Sequence, residues 1–127
     1  MKNLNGKVVA LTGAASGIGR CLAIQLAESG CHLALADVDS NGLQETIKLL
    51  LSANKVSSHI IDVANKEQVY AWADEVVAEH GHVDIVINNA GVASTSRLDE
   101  ISYEDFNWVF NICFYGVLYG TKAFLPY

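Results

Sequence analysis

The sequence has little proline, little positive charge and no paired cysteines. Pro126 is the single proline in 127 residues, and there is neither a low-complexity tract nor an internal repeat. Nothing therefore reads as a linker or a repeat array. Lys and Arg number 8 against 14 Asp and Glu, a formal net charge of −6. A chain so short of cations lacks the basic footprint that nucleic acid or an anionic lipid surface requires. The three cysteines, Cys21, Cys31 and Cys113, form no CxxC and are odd in number. They read as buried thiols in a reducing cytoplasm. His32, His59, His80 and His82 show no metal-ligand spacing on one element, so no metal site is expected and they read as structural or solvated.

Unbroken apolar runs of membrane-spanning length are missing too. "WVFNICFYGVLYGTKAFLPY", Trp108 to Tyr127, carries a GxxxG at Gly116 and Gly120. Asn111, Lys122 and Pro126 interrupt it, and Glu104 and Asp105 lie just upstream. A spanning helix needs about 20 apolar residues, so this segment reads as a helix packed on protein. The N-terminal "MKNLNGKVVALTG" has no apolar stretch with a small-residue cleavage site, so no secretory signal is expected.

What is present is an apolar composition. Hydrophobic residues make up 51% and charged residues 17%, which is globular and allows one domain with a single core. Lys7–Thr12, His32–Asp37, Val56–Asp62 and Val83–Asn88 are short apolar runs that read as strands. Between them lie helical patterns. Gly17–Ser29 carries Ile18, Leu22 and Leu26 at four-residue spacing and stops at Gly30. Ser40 is a candidate cap for a helix to about Leu51, with Leu43, Ile47 and Leu50 on one face. Asn65, with Gln68 three residues on, caps a helix with Val69, Trp72 and Val76 on its apolar face, ending at Gly81. A polar loop follows the fourth strand, and Ser102 opens a last long helix.

The order is βαβαβαβ-loop-α. Near-continuous apolar strands suit a parallel sheet covered on both faces. Right-handed crossovers then give an α/β, doubly wound, Rossmann-like sheet, ending after the fourth strand and the long helix. Residues 1–127 read as one dinucleotide-binding domain.

"LTGAASGIGR" supplies the chemistry. Gly13, Gly17 and Gly19 stand where a strand turns into a helix. A helix N-terminus offers unpaired N–H groups and partial positive charge, which a phosphate can take up. Glycine permits the sharp turn and lets a pyrophosphate approach the backbone. A glycine-rich turn alone would equally serve as an ordinary tight turn. Three features favour the dinucleotide. The motif sits between a strand and a helix. Asp37 ends the second strand, 18 residues after Gly19, where a carboxylate accepts from ribose hydroxyls and repels a 2′-phosphate. Asp62 and "NNAG" end the third and fourth strands, on the edge where open sheets bind ligands. No Lys or Arg stands at 36–39, so NAD is favoured over NADP.

"TGAASGIG" at 12–19, "DV" at 62–63 and "NNAG" at 88–91 resemble the short-chain dehydrogenase/reductase family, in order and over essentially the whole chain. The resemblance implies hydride transfer between nicotinamide and an alcohol/ketone pair. It implies that Gly13, Ser16, Gly17, Ile18 and Gly19 hold the pyrophosphate, and that Asp37 binds the adenosine ribose. Asp62 and Val63 would flank the adenine, and Asn89, Ala90 and Gly91 would line the cleft. Asparagines ending a buried strand, Asn88 and Asn89, would also serve simply to satisfy backbone groups.

The sequence departs from the family in two places. The family's Ser and its Tyr-x-x-x-Lys pair, the acid/base apparatus, are not found: Tyr70, Tyr103, Tyr115, Tyr119 and Tyr127 have no Lys four residues on. No catalytic residue is assigned. Family members run to roughly twice this length, so the chain reads as the cofactor-binding half, inactive alone. The family also places an Asn three residues before a Gly in the last helix, holding a water in its proton relay. Gly116 and Pro126 keep that spacing, which puts Cys113 at the Asn position. Asn111, two residues away, would face about 200° round a regular helix. The alternative is a catalytically dead nucleotide-binding or dimerising module, or a truncated product without function. The fourth strand is expected to be an open edge. Trp108, Phe110, Ile112, Phe114, Leu118 and Phe124 are too many for one buried stripe, so self-association through the last helix is expected. An alcohol or ketone partner is expected only with the missing half present.

Overall fold

The computed structural model describes residues 3–51 and 55–127. Residues 1–2 of the N-terminal stretch read above lie outside that range. Four strands form one parallel sheet: β1 (Val8–Thr12), β2 (His32–Asp37), β3 (Lys55–Ile60) and β4 (Ile85–Ile87), in the spatial order β3-β2-β1-β4. The helices are α1 (Gly17–Glu28), α2 (Ser40–Lys48), α3 (Lys66–His80), α4 (Tyr103–Phe110) and α5 (Gly116–Phe124). A π-helical turn, Asn111–Tyr115, joins the last two.

Alternation along the strands sorts the core into two layers. Val9, Leu11, Leu33 and Leu35 face α1 and α2, where Ala23, Ala27 and Leu43 close over them. Ala10, Ala34 and Ala36 face the other way. Three alanines leave a hollow, and large side chains fill it: Trp72 from α3 and Phe124 from α5. Their rings meet edge to face, 4.9 Å apart at 83°. The expectation of a sheet covered on both faces holds, and β4 stands at one end of the sheet among the described residues.

Several boundaries shift. Asp39, and not Ser40, caps α2: its carboxylate accepts from the Gly42 N–H at 3.0 Å. Asp39 has the extended backbone of a cap, while Ser40 is already the first helical residue. Asn65 caps α3 as expected, accepting from Gln68 N–H at 3.1 Å. Gln68 completes no capping box, because its side-chain oxygen accepts from the Asp62 N–H at 2.8 Å. The fourth strand is shorter than Val83–Asn88. At its start the Asp84 carboxylate accepts from Lys7 Nζ at 2.7 Å and from the Val8 N–H at 2.8 Å. At its end Asn89 N–H turns back onto the Ile87 carbonyl at 3.0 Å. The last helix is not wound evenly, because the π turn interrupts the period on which Asn111 and Cys113 were compared.

The GxxxG serves packing within the domain. Gly116 and Gly120 let α5 sit against Val63 and Asn88, where an added Cβ would collide with their side chains. No helix among the described residues is long and apolar enough to cross a membrane. His59 and His80 share a side-chain network, whereas His82, its side chain 59% exposed, lies 3.1 Å from Asp84. Ser57 Oγ lies 2.8 Å from His80 Nε2 and 3.0 Å from His59 Nε2, and His59 Nδ1 lies 3.2 Å from Glu75. Burial, and then the Lys55 charge, push His80 below the usual histidine range. No group of metal-ligating side chains is assembled among the described residues.

The Asp84 contacts carry a pH dependence. The hydrogen bond from Lys7, then that from the Val8 N–H, hold the Asp84 carboxyl below the usual carboxylate range. A carboxylate depressed in the folded state stabilises fully above its unfolded pKa of about 3.9, and that contribution is lost as pH falls through the folded value. Asp84→Asn is therefore expected to lower the melting temperature at pH 7 and to leave it unchanged at the lowest pH where the fold persists. A constant difference across pH 3–7 would show that Asp84 acts by shape alone.

Candidate functional site

Register places the site. Thr12 pairs with Ala36, Leu11 with Ile87 and Asp37 with Ile60, so the carboxyl ends of the strands finish level. The sequence-predicted residues consequently meet at one edge. A cavity of about 380 Å³ opens there. Its wall holds Gly13, Ser16, Gly17, Ile18, Gly19, Asp37, Asp62, Val63, Asn89, Ala90 and Gly91, which is every residue proposed from sequence. Val38, Ile61, Val92 and Ile112 complete the wall.

The turn from β1 to α1 is tied on three sides. Thr12 Oγ1 accepts from the N–H groups of Asn89 and Ala90, both at 3.0 Å. The Asn89 amide donates to the carbonyls of Thr12 at 3.0 Å and Gly13 at 3.3 Å. Asn89 thus satisfies backbone groups, as one reading of it expected, and it lines the cavity as well. Asn88 points elsewhere: its amide donates to Thr121 Oγ1 on α5 at 3.2 Å. Asp37 accepts from the Ala15 N–H at 3.0 Å and from the Asp39 N–H at 3.1 Å.

Gly13 takes a φ of +68° and Gly17 one of +52°, conformations that glycine adopts without penalty. A Cβ on Gly13 would come within 2.7 Å of the Asn89 amide and 2.9 Å of Ala90 Cα. A Cβ on Gly19 would collide with the Gly13 carbonyl. Gly17 faces open space on the cavity side. The two outer glycines pack the turn; the middle one keeps its mouth clear.

The N–H groups of Ser16, Gly17, Ile18 and Gly19 find no protein partner among the described residues. They sit at the N-terminus of a 12-residue helix, with its partial positive charge. Across the cavity stand two carboxylates, Asp37 and Asp62, flanked by Val38, Ile61 and Val63. No Lys or Arg lies in the wall. One end therefore offers donors to oxyanions, and the other offers acceptors to hydroxyls beside an apolar slot.

Cys113 lies behind this wall. Its Sγ donates to the Val92 carbonyl at 3.2 Å. It forms part of a second, shallow apolar depression with Phe114, Val117, Leu118 and Thr121.

Such an arrangement, helix N-terminus against strand ends at the point where strand order reverses, is that of a doubly wound, Rossmann-like α/β fold. Comparison makes the assignment specific. The family model for short chain dehydrogenase matches residues 7–127. The chain belongs to the short-chain dehydrogenase/reductase family. It is 46% identical over 128 residues to SadH of Mycobacterium tuberculosis, an oxidoreductase by inference in its name, covering 100% of this chain and 46% of that protein. It is 40% identical over 127 residues to epidermal retinol dehydrogenase 2 of Homo sapiens, covering 98% of this chain and 41% of the relative. A short-chain dehydrogenase/reductase from Burkholderia phymatum, solved with NAD, superposes with a TM-score of 0.93 at 41% identity, over 99% of this chain and 45% of that one. An alcohol dehydrogenase from Thermococcus sibiricus, solved with 5-hydroxy-NADP, gives 0.92 at 35% identity, over 96% of this chain and 53% of that one. The chain thus spans less than half the length of the two relatives named first. Family members bind NAD or NADP, and the fit of this cavity to either rests on the unpaired N–H groups and the open face of Gly17.

Gly19→Ala tests the packing of the turn. The added methyl must displace the Gly13 carbonyl, so a loss of about 2 kcal/mol is expected, typical of overpacking. Thermal unfolding of the variant beside the parent measures it. An unchanged melting temperature would show that the turn is looser than its contacts imply.

Proposed function

We propose that this chain is the cofactor-binding part of an NAD-dependent oxidoreductase. The observation that carries the reading is the meeting of four unpaired N–H groups and the Asp37 carboxylate on one cavity. In this reading Gly13, Ser16, Gly17, Ile18 and Gly19 take the pyrophosphate, with the N–H groups of Ser16 to Gly19 as donors. Asp37 accepts from the adenosine ribose, and Asp62 and Val63 border the adenine. Asn89, Ala90 and Gly91 line the cleft beside the ribose. The preference for NAD follows from charge. A 2′-phosphate would approach Asp37 with no cation in the cavity wall to offset the repulsion. Arg20, nearby, is already engaged by Glu45 and by backbone carbonyls.

The reaction of the whole protein is hydride transfer between nicotinamide and an alcohol/ketone pair. The names of the relatives support an alcohol: a retinol dehydrogenase, an estradiol 17-beta-dehydrogenase and a carveol dehydrogenase are among them. Acid/base chemistry in the family uses residues that residues 7–127 do not supply, so turnover by this chain alone is not expected. The three cysteines are free, in keeping with a cytoplasmic location, but only Cys31 is buried as expected; Cys21 and Cys113 are exposed, because each lies on the outer side of its helix. The outer face of the last helices belongs to the same reading as a self-association surface. Trp108, Phe110, Phe114 and Leu118 are 50%, 42%, 54% and 40% exposed, whereas Phe124 is buried and Ile112 half-buried.

Equilibrium titration is expected to show NAD⁺ binding at least about tenfold more tightly than NADP⁺, the worth of one uncompensated charge contact. Asp37→Asn keeps an acceptor for the Ala15 N–H and removes the charge, so it should narrow that ratio. Equal affinities in the parent chain would overturn the NAD preference, and no binding of either would overturn the cofactor reading. Sedimentation at micromolar concentration is expected to show dimers or larger species. A clean monomer would remove the self-association surface.

A further inference from the structure

We propose that Arg20 and Thr46, neither of which lines the cavity, brace the phosphate-binding turn from behind and set the direction of its donors. The inference rests on the cofactor reading of the preceding subsection. The sequence pattern drew attention to neither residue. Arg20 lies on α1, one position past the last glycine of the motif, and Thr46 lies on α2.

The contacts converge on two carbonyls. Thr46, fully buried, donates from Oγ1 to the Ala14 carbonyl at 2.8 Å. Arg20 donates to the Ala15 carbonyl at 2.6 Å, and its Nε donates to Thr46 Oγ1 at 3.0 Å. The same guanidinium reaches the Gly42 carbonyl at 3.3 Å and Glu45 at 3.1 Å. Gly42 has to be glycine for α2 to come this near, because a Cβ there would lie 2.8 Å from the Ala15 Cβ.

Planarity turns these contacts into aim. A trans peptide points its C=O and the next N–H in opposite directions. Holding the Ala14 carbonyl therefore directs the Ala15 N–H the other way, and there it meets Asp37 at 3.0 Å. Holding the Ala15 carbonyl directs the Ser16 N–H away from Arg20, and Ser16 is a wall residue of the cavity. Thr46 thus orients the donor that holds the ribose-binding carboxylate. Arg20 orients the first donor of the phosphate end. A cation on the carbonyl also polarises that peptide and strengthens the N–H on its far side. The Arg20–Glu45 ion pair is not the point of the arrangement, because the Glu45 side chain is 67% exposed and such pairs contribute little.

Arg20 is a positioning residue, and its test separates aim from general stability. Affinities of the chain for NAD⁺, ADP and adenosine are measured by equilibrium titration for the parent, Arg20→Met and Arg20→Lys. Arg20→Met is expected to weaken NAD⁺ and ADP roughly tenfold and adenosine less than twofold, the loss of one charge-assisted hydrogen bond being felt only by the phosphates. Arg20→Lys keeps the charge and loses the fork, so it should fall between the two; it supplies the reading if Arg20→Met does not fold. ADP and adenosine weakened in equal ratio, or neither weakened, would overturn the brace while leaving the cofactor site intact. A parent chain that binds neither NAD⁺ nor ADP would overturn the cofactor reading and this inference with it.

Discussion

The hydrogen-bonded junction at the carboxyl end of β1 is the constraint on which the rest of the structure depends. β1 is an inner strand, flanked by β2 and β4. The chain leaves it through Thr12, whose hydroxyl receives two backbone N–H groups from the end of β4. Asn89 closes the same junction from its side chain. Asp37 holds it from the end of β2. Two segments far apart in the chain, the ends of β2 and β4, are fastened to one turn, and the cavity is the space they leave. A buried backbone group without a partner is costly, so these side chains settle the turn's geometry as well as border a ligand site. The same economy explains why the donors of Ser16 to Gly19 stand out: they are the ones the junction leaves unpaired.

Packing allows that junction to form. Alanines at 10, 34 and 36 keep one face of the sheet shallow, so Trp72 and Phe124 can fill it. Phe124 anchors α5, and Gly116 and Gly120 let α5 approach the strand ends. The helix that looked membrane-like in composition is thereby drawn onto the sheet by its small residues, and its large apolar residues are left on the outer side. That outer surface is too apolar to be an ordinary solvated helix face.

Membership of the short-chain dehydrogenase/reductase family rests on the match over residues 7–127. Against that background Cys113 stands out. Its spacing to Gly116 and Pro126 puts it where the family resemblance implies an asparagine, and a thiol is a weak donor and acceptor by comparison. In this chain the thiol is given to the Val92 carbonyl, next to the wall of the cavity. It sits within the π-helical turn, where the regular backbone ladder is interrupted.

The sequence by itself determined the strands, the helices and the glycine turn. Each of these is local: β-branched runs, four-residue apolar spacing and a cap can be read within a few positions. Every candidate cofactor residue was legible for the same reason, since each ends a strand or begins a helix. Other features were decided only by tertiary structure. Ile112 reaches the cavity wall through the fold of the last helix, and nothing near it in sequence marks it. The π turn interrupts a periodicity that looked continuous. Asp39 displaced Ser40 as the cap because the two are equally good caps by type and only backbone conformation distinguishes them. Arg20 and Thr46 bind carbonyls 5 and 32 residues away, partners that no spacing announces. Local pattern specifies which bonds the chain can make with itself nearby. The remaining polar groups choose partners only once the sheet has brought distant segments within reach.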